Sequence, residues 1–267
     1  MKKSGNEVII IGAGNVGTHL ARQLDQQNYT IRGICSRSIQ SARQLAKYYV
    51  CESWANPAII PNDAQYYFIC VNDEAIASVA EAMPPTNGLV MHTSGSTPLD
   101  VLSRFPNRGV FYPIQTFTKI HETDFSLVPI CIEASNKKSL NTLKNLALQF
   151  SNNIIEADSI KRKYIHLSAV FASNFTNYMY VIANDILTKQ QLPFSILLPL
   201  ILESFEKVTL MEPWQAQTGP AVRGDSFIIQ EHLKMLSNNP DYQEIYRLLS
   251  EQIMKHKKIN KNHNREL

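Results

Sequence analysis

Gly12, Gly14 and Gly17 directly follow the apolar run Val8-Ile9-Ile10-Ile11, and Val16, Leu20 and Leu24 continue at helical spacing. A strand that passes through G-x-G-x-x-G into a helix is the fingerprint of a dinucleotide-binding turn. Gly12 permits the tight turn, Gly14 lets the backbone approach a pyrophosphate, and Gly17 lets helix and strand pack closely. Asn15 and Val16 belong to the first helical turn, whose free N–H groups and positive dipole end suit the phosphates. After the next strand candidate, Thr30 to Cys35, comes Ser36-Arg37-Ser38, and no Asp or Glu occurs between Thr30 and Val50. A carboxylate about 20 residues past the glycines would grip a ribose 2′-hydroxyl. One guanidinium and two hydroxyls stand there instead, which suits a 2′-phosphate and therefore NADP(H) as the cofactor. Ser38 also fits as the N-cap of the helix that follows.

Two more polar groups end strand candidates. Val71-Asn72-Asp73 follows Tyr66 to Val71, and His92-Thr93-Ser94-Gly95-Ser96 closes the strand Leu89 to Thr93. Ligands of open α/β sheets sit beyond the carboxyl ends of the strands, so Val71, Asn72, Asp73 and His92 are expected against the cofactor, with Ser94 in the catalytic loop. Asp73 has a second reading as a helix cap. Ser94 lacks the G-x-S-x-G setting and an adjacent base, which disfavours hydrolase chemistry. His166, Ser173, Asn174 and Asn177 are polar positions on a segment that is otherwise strongly apolar. Spacings of seven and eleven put Ser173 and Asn177 on the face of His166, with Asn174 about 100° from Ser173. Arg223 and Asp225, in Thr218-Gly219-Pro220-Ala221-Val222-Arg223-Gly224-Asp225, are substrate-binding candidates. An arginine between backbone-permissive residues suits a carboxylate or phosphate, or a buried pair with Asp225, and Asp225 is also a natural N-cap.

The elements that must position these groups fall into two regimes. Residues 1–157 alternate strand and helix, including a helix opened by Thr97-Pro98-x-Asp100 and one from Ser139 to Phe150. Residues 158–257 read as all-helical, and Ser159 to Gln190 has no Pro or Gly, which predicts one helix of about 30 residues and roughly 45 Å. A helix this apolar needs cover on several faces, and a second subunit is expected to supply one. Residues 258–267 continue a basic stretch expected to fray.

At 267 residues, with 44% hydrophobic and 18% charged residues and a net charge of +3, the composition is that of a globule with ample core. Nothing marks a nucleic-acid or membrane partner: no run approaches a membrane span and no signal peptide opens the chain, so a cytoplasmic protein is expected. The four cysteines have no C-x-x-C spacing and the seven histidines no H-x-x-x-H pattern, so no metal is expected.

The order of parts resembles the 6-phosphogluconate dehydrogenase-like superfamily, which includes pyrroline-5-carboxylate reductase, β-hydroxyacid dehydrogenases and deazaflavin-dependent NADP reductases. Four blocks are similar to an uncharacterised branch of NADP oxidoreductases whose C-terminal part is a domain of unknown function. They are His92 to Ser96; Pro113-Ile114-Gln115-Thr116-Phe117; His166 through Ala169 to Ser173-Asn174; and Thr218 to Asp225 with His232-Leu233. That branch usually has His before the proline, where this chain has Tyr112. The resemblance implies an α/β fold: a Rossmann-type doubly wound, mainly parallel sheet followed by an all-helical C-terminal domain around one long central helix, with a homodimer formed through the helices. It also implies that the start of the long helix faces the nicotinamide. His166, whose ordinary pKa suits proton transfer near neutrality, is then the candidate general acid, and Asn174 orients the substrate. A structural histidine at an interface is the other reading of His166. The activity expected is hydride transfer between NADP(H) and a small carbonyl or imine. The rival expectation is a non-catalytic NADP-binding sensor or regulatory module.

Overall fold

Alternate residues of the first strand face opposite sides of the sheet, and both sides are covered, which is why its apolar run is unbroken. In the computed structural model, which describes residues 6–263, Val8 and Ile10 of β1 (Glu7–Ile11) join one core cluster and Ile9 and Ile11 join another. The first cluster gathers Leu20, Ala21 and Leu24 of α1 (Asn15–Gln26), Ala42 and Leu45 of α2 (Ile39–Ala46), and Leu143 and Leu146 of α4 (Lys137–Ala147). The second gathers Ile76 and Ala80 of α3 (Asp73–Ala82) with Leu102 and Phe105.

Eight strands form the sheet. After β1 come β2 (Thr30–Cys35), β3 (Glu52–Trp54), β4 (Tyr66–Ile69), β5 (Leu89–His92), β6 (Arg108–Pro113), β7 (Ile130–Ala134) and β8 (Ile154–Glu156). Their order is β3-β2-β1-β4-β5-β6-β7-β8, and every pairing is parallel except β6 with β7. The chain leaves β1 in one direction for β2 and β3, then returns to lay β4 on its other side. The crevice between β1 and β4 is thus the topological switch point, where ligands of such sheets bind.

The helix expected from Thr97-Pro98 is a single 3-10 turn, Leu99–Leu102, capped by Pro98 with no side-chain bond. Thr97 is committed elsewhere: its N–H donates to Ser94 Oγ, and its carbonyl accepts from Arg162. The single long helix is also revised. α5 (Ser159–Ala169) passes into a π-helical segment, Val170–Phe175, before α6 (Thr176–Lys189). Then come α7 (Leu198–Leu210), two four-residue turns α8 (Pro213–Ala216) and α9 (Pro220–Arg223), α10 (Ser226–Met235) and α11 (Pro240–His263). Residues 258–263, expected to fray, continue α11; the last four residues of that basic stretch lie outside the described residues. No helix among the described residues is long and apolar enough to cross a membrane. The chain forms two compact units, one ending at Phe175 and one beginning at Thr176.

α5 belongs to the sheet unit because Arg162 ties it there. Its side chain is fully buried (0% exposed), and its guanidinium pairs with Glu133 of β7 while donating to the Thr97 carbonyl. Ser159, one turn earlier, donates to both Glu133 oxygens (3.0 and 2.9 Å) and accepts the Leu99 N–H (3.1 Å). His92, at the end of β5, is equally buried. Its Nδ1 accepts the Ser94 N–H (3.2 Å), and its Nε2 has no hydrogen-bond partner among the described residues. Burial first, and the Arg162 charge second, push the His92 pKa down from 6.5 to about 4, against smaller opposing effects of the Pro98 carbonyl and Asp73.

Two outcomes are expected. Breaking the buried pair from one side, with Arg162→Met or Glu133→Leu, costs about 3–5 kcal/mol, and the double variant recovers part of that loss. Urea unfolding followed through Trp54, in a Trp214→Phe background, measures the cycle; additive losses would refute the coupling. The unfolded chain protonates His92 near 6.5 while the folded chain resists until about 4. The stability due to neutral His92 is therefore complete above pH 6.5 and is lost as pH falls towards 4, by roughly 3 kcal/mol. His92→Asn should flatten the stability profile between those pH values, whatever its effect on the level.

Candidate active site

Close packing sets the glycine loop. Gly12 holds φ at +121°, and a Cβ there would lie 2.1 Å from the Cys70 carbonyl oxygen. A Cβ on Gly17 would lie 2.0 Å from the Gly12 oxygen, so any larger residue would push α1 off the turn. Gly14 differs: it is the exposed N-cap of α1, and a Cβ there would meet nothing within 4 Å. α1 has no side-chain cap and no acidic residue in its first turn, so its leading N–H groups are left for an anion. The loop thus fits the pyrophosphate of a dinucleotide.

A segment that sequence reasoning missed holds this loop from outside. Asn15 Nδ2 donates to the Phe117 carbonyl (2.8 Å), His19 Nε2 to the Thr118 carbonyl (2.8 Å), and Lys119 Nζ to the Ala13 carbonyl (3.1 Å). Arg22 pairs with Glu122 at 3.2 Å. Asn15, expected at the cofactor, therefore spends its side-chain amide on the 116–122 segment, and Val16 packs half-buried against the first core cluster. The pattern Asn15, His19, Arg22 at helical spacing was the available signal.

At the end of β2, Ser36 is fixed by its N–H to the Trp54 carbonyl (3.0 Å), and Trp54 lies over Gly33, where a Cβ would meet its ring at 2.3 Å. Arg37 is exposed. Ser38 N-caps α2 by accepting the Ser41 N–H (3.2 Å) and is exposed, so the capping and ligand readings remain compatible.

The loops after β4 and β5 are joined. Asn72 is the cap residue of α3, without a side-chain bond, while the Asp73 carboxylate accepts the Ser96 hydroxyl proton; the simple cap reading of Asp73 does not hold. Val71 is half-buried against the second core cluster. Ser94 is buried, and its Oγ accepts the N–H groups of Ser96 (3.1 Å) and Thr97 (2.9 Å), so it organises the loop. His92 is enclosed, and its ring is not presented to a ligand.

His166 stands one turn after Arg162 on α5, half-buried. Its Nδ1 lies 3.1 Å from the hydroxyl of Tyr112, at the carboxyl end of β6. Gly95 makes room for both: a Cβ there would lie 2.7 Å from Tyr112 Cζ and 2.9 Å from His166 Cβ and Cγ. Tyr112 was set aside in the sequence as a departure from the related pattern, although a titratable side chain at a strand's carboxyl end was signal enough. Ser173 and Asn174 lie in the π segment, which revises their expected alignment. Its i→i+5 bonding adds about one residue per turn, so Asn174 takes the place in line with His166 that Ser173 would hold in an α-helix.

In the second unit, Asp225 is the N-cap of α10, accepting the Ile228 N–H at 3.2 Å. Arg223 ends α9 and is exposed; the buried pair with Asp225 does not form. Gly224 beside it takes a left-handed φ of 78°, and Lys257 of α11 donates to the Val222 carbonyl, fixing the turn.

Residues 7–91 match the family described as NADP oxidoreductase, coenzyme F420-dependent, and residues 128–253 match a domain of unknown function, DUF2520. No curated protein matches the chain. A crystal structure from Bacteroides fragilis, of a protein described as a candidate NADP oxidoreductase, is 41% identical with a TM-score of 0.87. The match covers 94% of this chain and 98% of that one. A Thermotoga maritima protein is 22% identical over 95% of this chain and 99% of its own, with a TM-score of 0.72. A reductive aminase from Aspergillus terreus, solved with NADPH and ethyl-5-oxohexanoate, is 14% identical over 98% and 95%, with a TM-score of 0.65; it shares the fold. With the glycine loop built for a dinucleotide and full-length similarity at 41% identity, the chain belongs to the NADP oxidoreductases that join this dinucleotide-binding module to a DUF2520 domain.

Proposed function

We propose that the protein reduces a small carbonyl or imine compound with NADPH, and that His166 delivers the proton. The observation that carries this reading is the position of His166: α5, anchored by Arg162, holds its imidazole against Gly95 and Tyr112 at the carboxyl ends of β5 and β6. Bound NADPH supplies hydride to the carbonyl or imine carbon as the C=O or C=N π bond breaks, and the oxygen or nitrogen takes a proton. His166 holds that proton on Nε2, which among the described residues has no other partner. Asn174, in line with His166, orients the substrate through its amide, with Ser173 beside it. Gly12, Gly14 and Gly17 seat the pyrophosphate, while Ser36, Arg37 and the exposed Ser38 hydroxyl meet the 2′-phosphate. Val71, Asn72 and Asp73 border the cofactor through their loop. Arg223, exposed and in no ion pair among the described residues, is suited to an anionic substrate group. Fold likeness to the reductive aminase supports the substrate class.

A homodimer through the helical unit accompanies this reading. Its side chains include Phe205 (64% exposed), Leu210 (80%), Phe227 (71%) and Met235 (76%), while among the described residues Ala221 and Ile229 are its buried hydrophobics. Exposed apolar side chains in this number call for a cover, and a second copy of the same helices is a self-complementary one.

Titration through Trp54 fluorescence should show NADPH binding at micromolar Kd and NADH at least tenfold weaker. A panel of ketones and cyclic imines should reveal NADPH oxidation that His166→Asn lowers 10²-fold or more while NADPH affinity stays within twofold. NADPH binding with no consumption across the panel would favour a sensor instead. Light scattering should give a dimer for the native chain and a monomer for Phe205→Glu; a monomeric native chain would refute the interface.

A further inference from the structure

The hydroxyl of Tyr112 and Nδ1 of His166, 3.1 Å apart, share one proton between two groups that can each donate it. Which one donates decides what His166 can do. If the phenol donates, Nδ1 is the acceptor and the neutral ring carries its proton on Nε2, from which it can be passed on as Nδ1 takes the phenol proton. If the imidazole donates, Nε2 is a bare lone pair and the ring can only accept. We propose that Tyr112 is a positioning residue that donates to Nδ1 and fixes His166 as the Nε2–H tautomer; the ring can then pass its Nε2 proton to the substrate as the phenol proton moves onto Nδ1, which leaves the imidazole neutral and a phenolate that water reprotonates. The inference rests on the role proposed for His166.

Geometry holds the pair together, and its chemistry sets the direction: the phenol is the stronger acid and the imidazole nitrogen the stronger base. The rings meet edge to face, with centroids 5.9 Å apart at 74°, so the ring of His166 is held in one orientation. Tyr112 stands on β6 and pairs with Cys131 of β7, which fixes its backbone. The closeness of the pair is built in by Gly95, since any side chain there would drive Tyr112 and His166 apart. α5 in turn is held by the Arg162–Glu133 pair one turn before His166, which fixes the height of the imidazole. Burial raises the Tyr112 pKa, with Cys131 and Asp73 adding to the effect against Arg162, so the phenol keeps its proton and remains a donor. Each half of the pair then has one task. Tyr112 does not meet the substrate; it sets the tautomer of the residue that does.

Reading the tautomer needs neither cofactor nor substrate. Nitrogen-15 NMR of the imidazoles in the full-length protein at pH 8, with His166 assigned by His166→Asn, reads the tautomer directly. The native protein is expected to show a protonated Nε2 and an unprotonated, hydrogen-bonded Nδ1. Tyr112→Phe keeps the ring and its packing but removes the donor, and the Nδ1–H population should rise several-fold. Trp54 fluorescence of the same variant should report unchanged NADPH affinity, which a general loss of structure would not allow. An Nδ1–H tautomer in the native protein would overturn the proposal, and so would an unchanged tautomer ratio in Tyr112→Phe. Absence of NADPH-linked turnover would refute the proposed reaction but leave this measurement standing, so the two failures are distinguishable.

Discussion

The buried Arg162–Glu133 pair is the constraint on which the site depends. A guanidinium with no solvent exposure is tolerated only where its charge is matched and its protons are used. Glu133 supplies the countercharge from β7, the Thr97 carbonyl takes a second N–H, and Ser159 closes the cluster by bonding both Glu133 and Leu99. One polar knot thereby joins β7, the loop after β5 and the first turn of α5. Among the described residues the Arg162 Nε has no partner, so the knot is not fully satisfied even so.

Everything chemically active nearby is positioned through that knot. His166 follows Arg162 by one helical turn, and Tyr112 lies on the strand beside Glu133's own, where Val110 pairs with Glu133. The loop from His92 to Pro98 is fastened at both ends: Ser94 binds two of its own amides and Ser96 reaches Asp73 at the head of α3. The same guanidinium helps keep His92 unprotonated. The knot thus holds the loop in place, and its charge adds to the burial that keeps His92 neutral.

The glycine loop is held by a different physics. Gly12 and Gly17 are steric necessities, each blocked by a carbonyl oxygen, whereas Gly14 leaves open space in front of uncapped amides. The segment from Phe117 to Glu122 then clamps α1 from outside through Asn15, His19 and Arg22. The contacts that hold the loop lie within the protein, so their ordering cost falls on folding.

The sheet was legible in the sequence because burial on both faces writes an unbroken apolar run, and the glycine turn because steric exclusion leaves one residue type. The local caps Ser38 and Asp225 were legible for a similar reason, since each bonds amides within three residues. What only the tertiary structure decided were contacts between residues far apart in the chain. His166 was visible as a polar position on a greasy helix, but its partner Tyr112, 54 residues away, was not. The burial of Arg162, the enclosure of His92 and the commitment of Ser94 to its own loop likewise depend on what packs around them. The π segment escaped detection because Val170 to Phe175 contains neither proline nor glycine, so helical periodicity runs through it without a mark. Local sequence sets backbone preference over a few residues; the protonation, burial and alignment that make a site are set by neighbours the chain brings together only on folding.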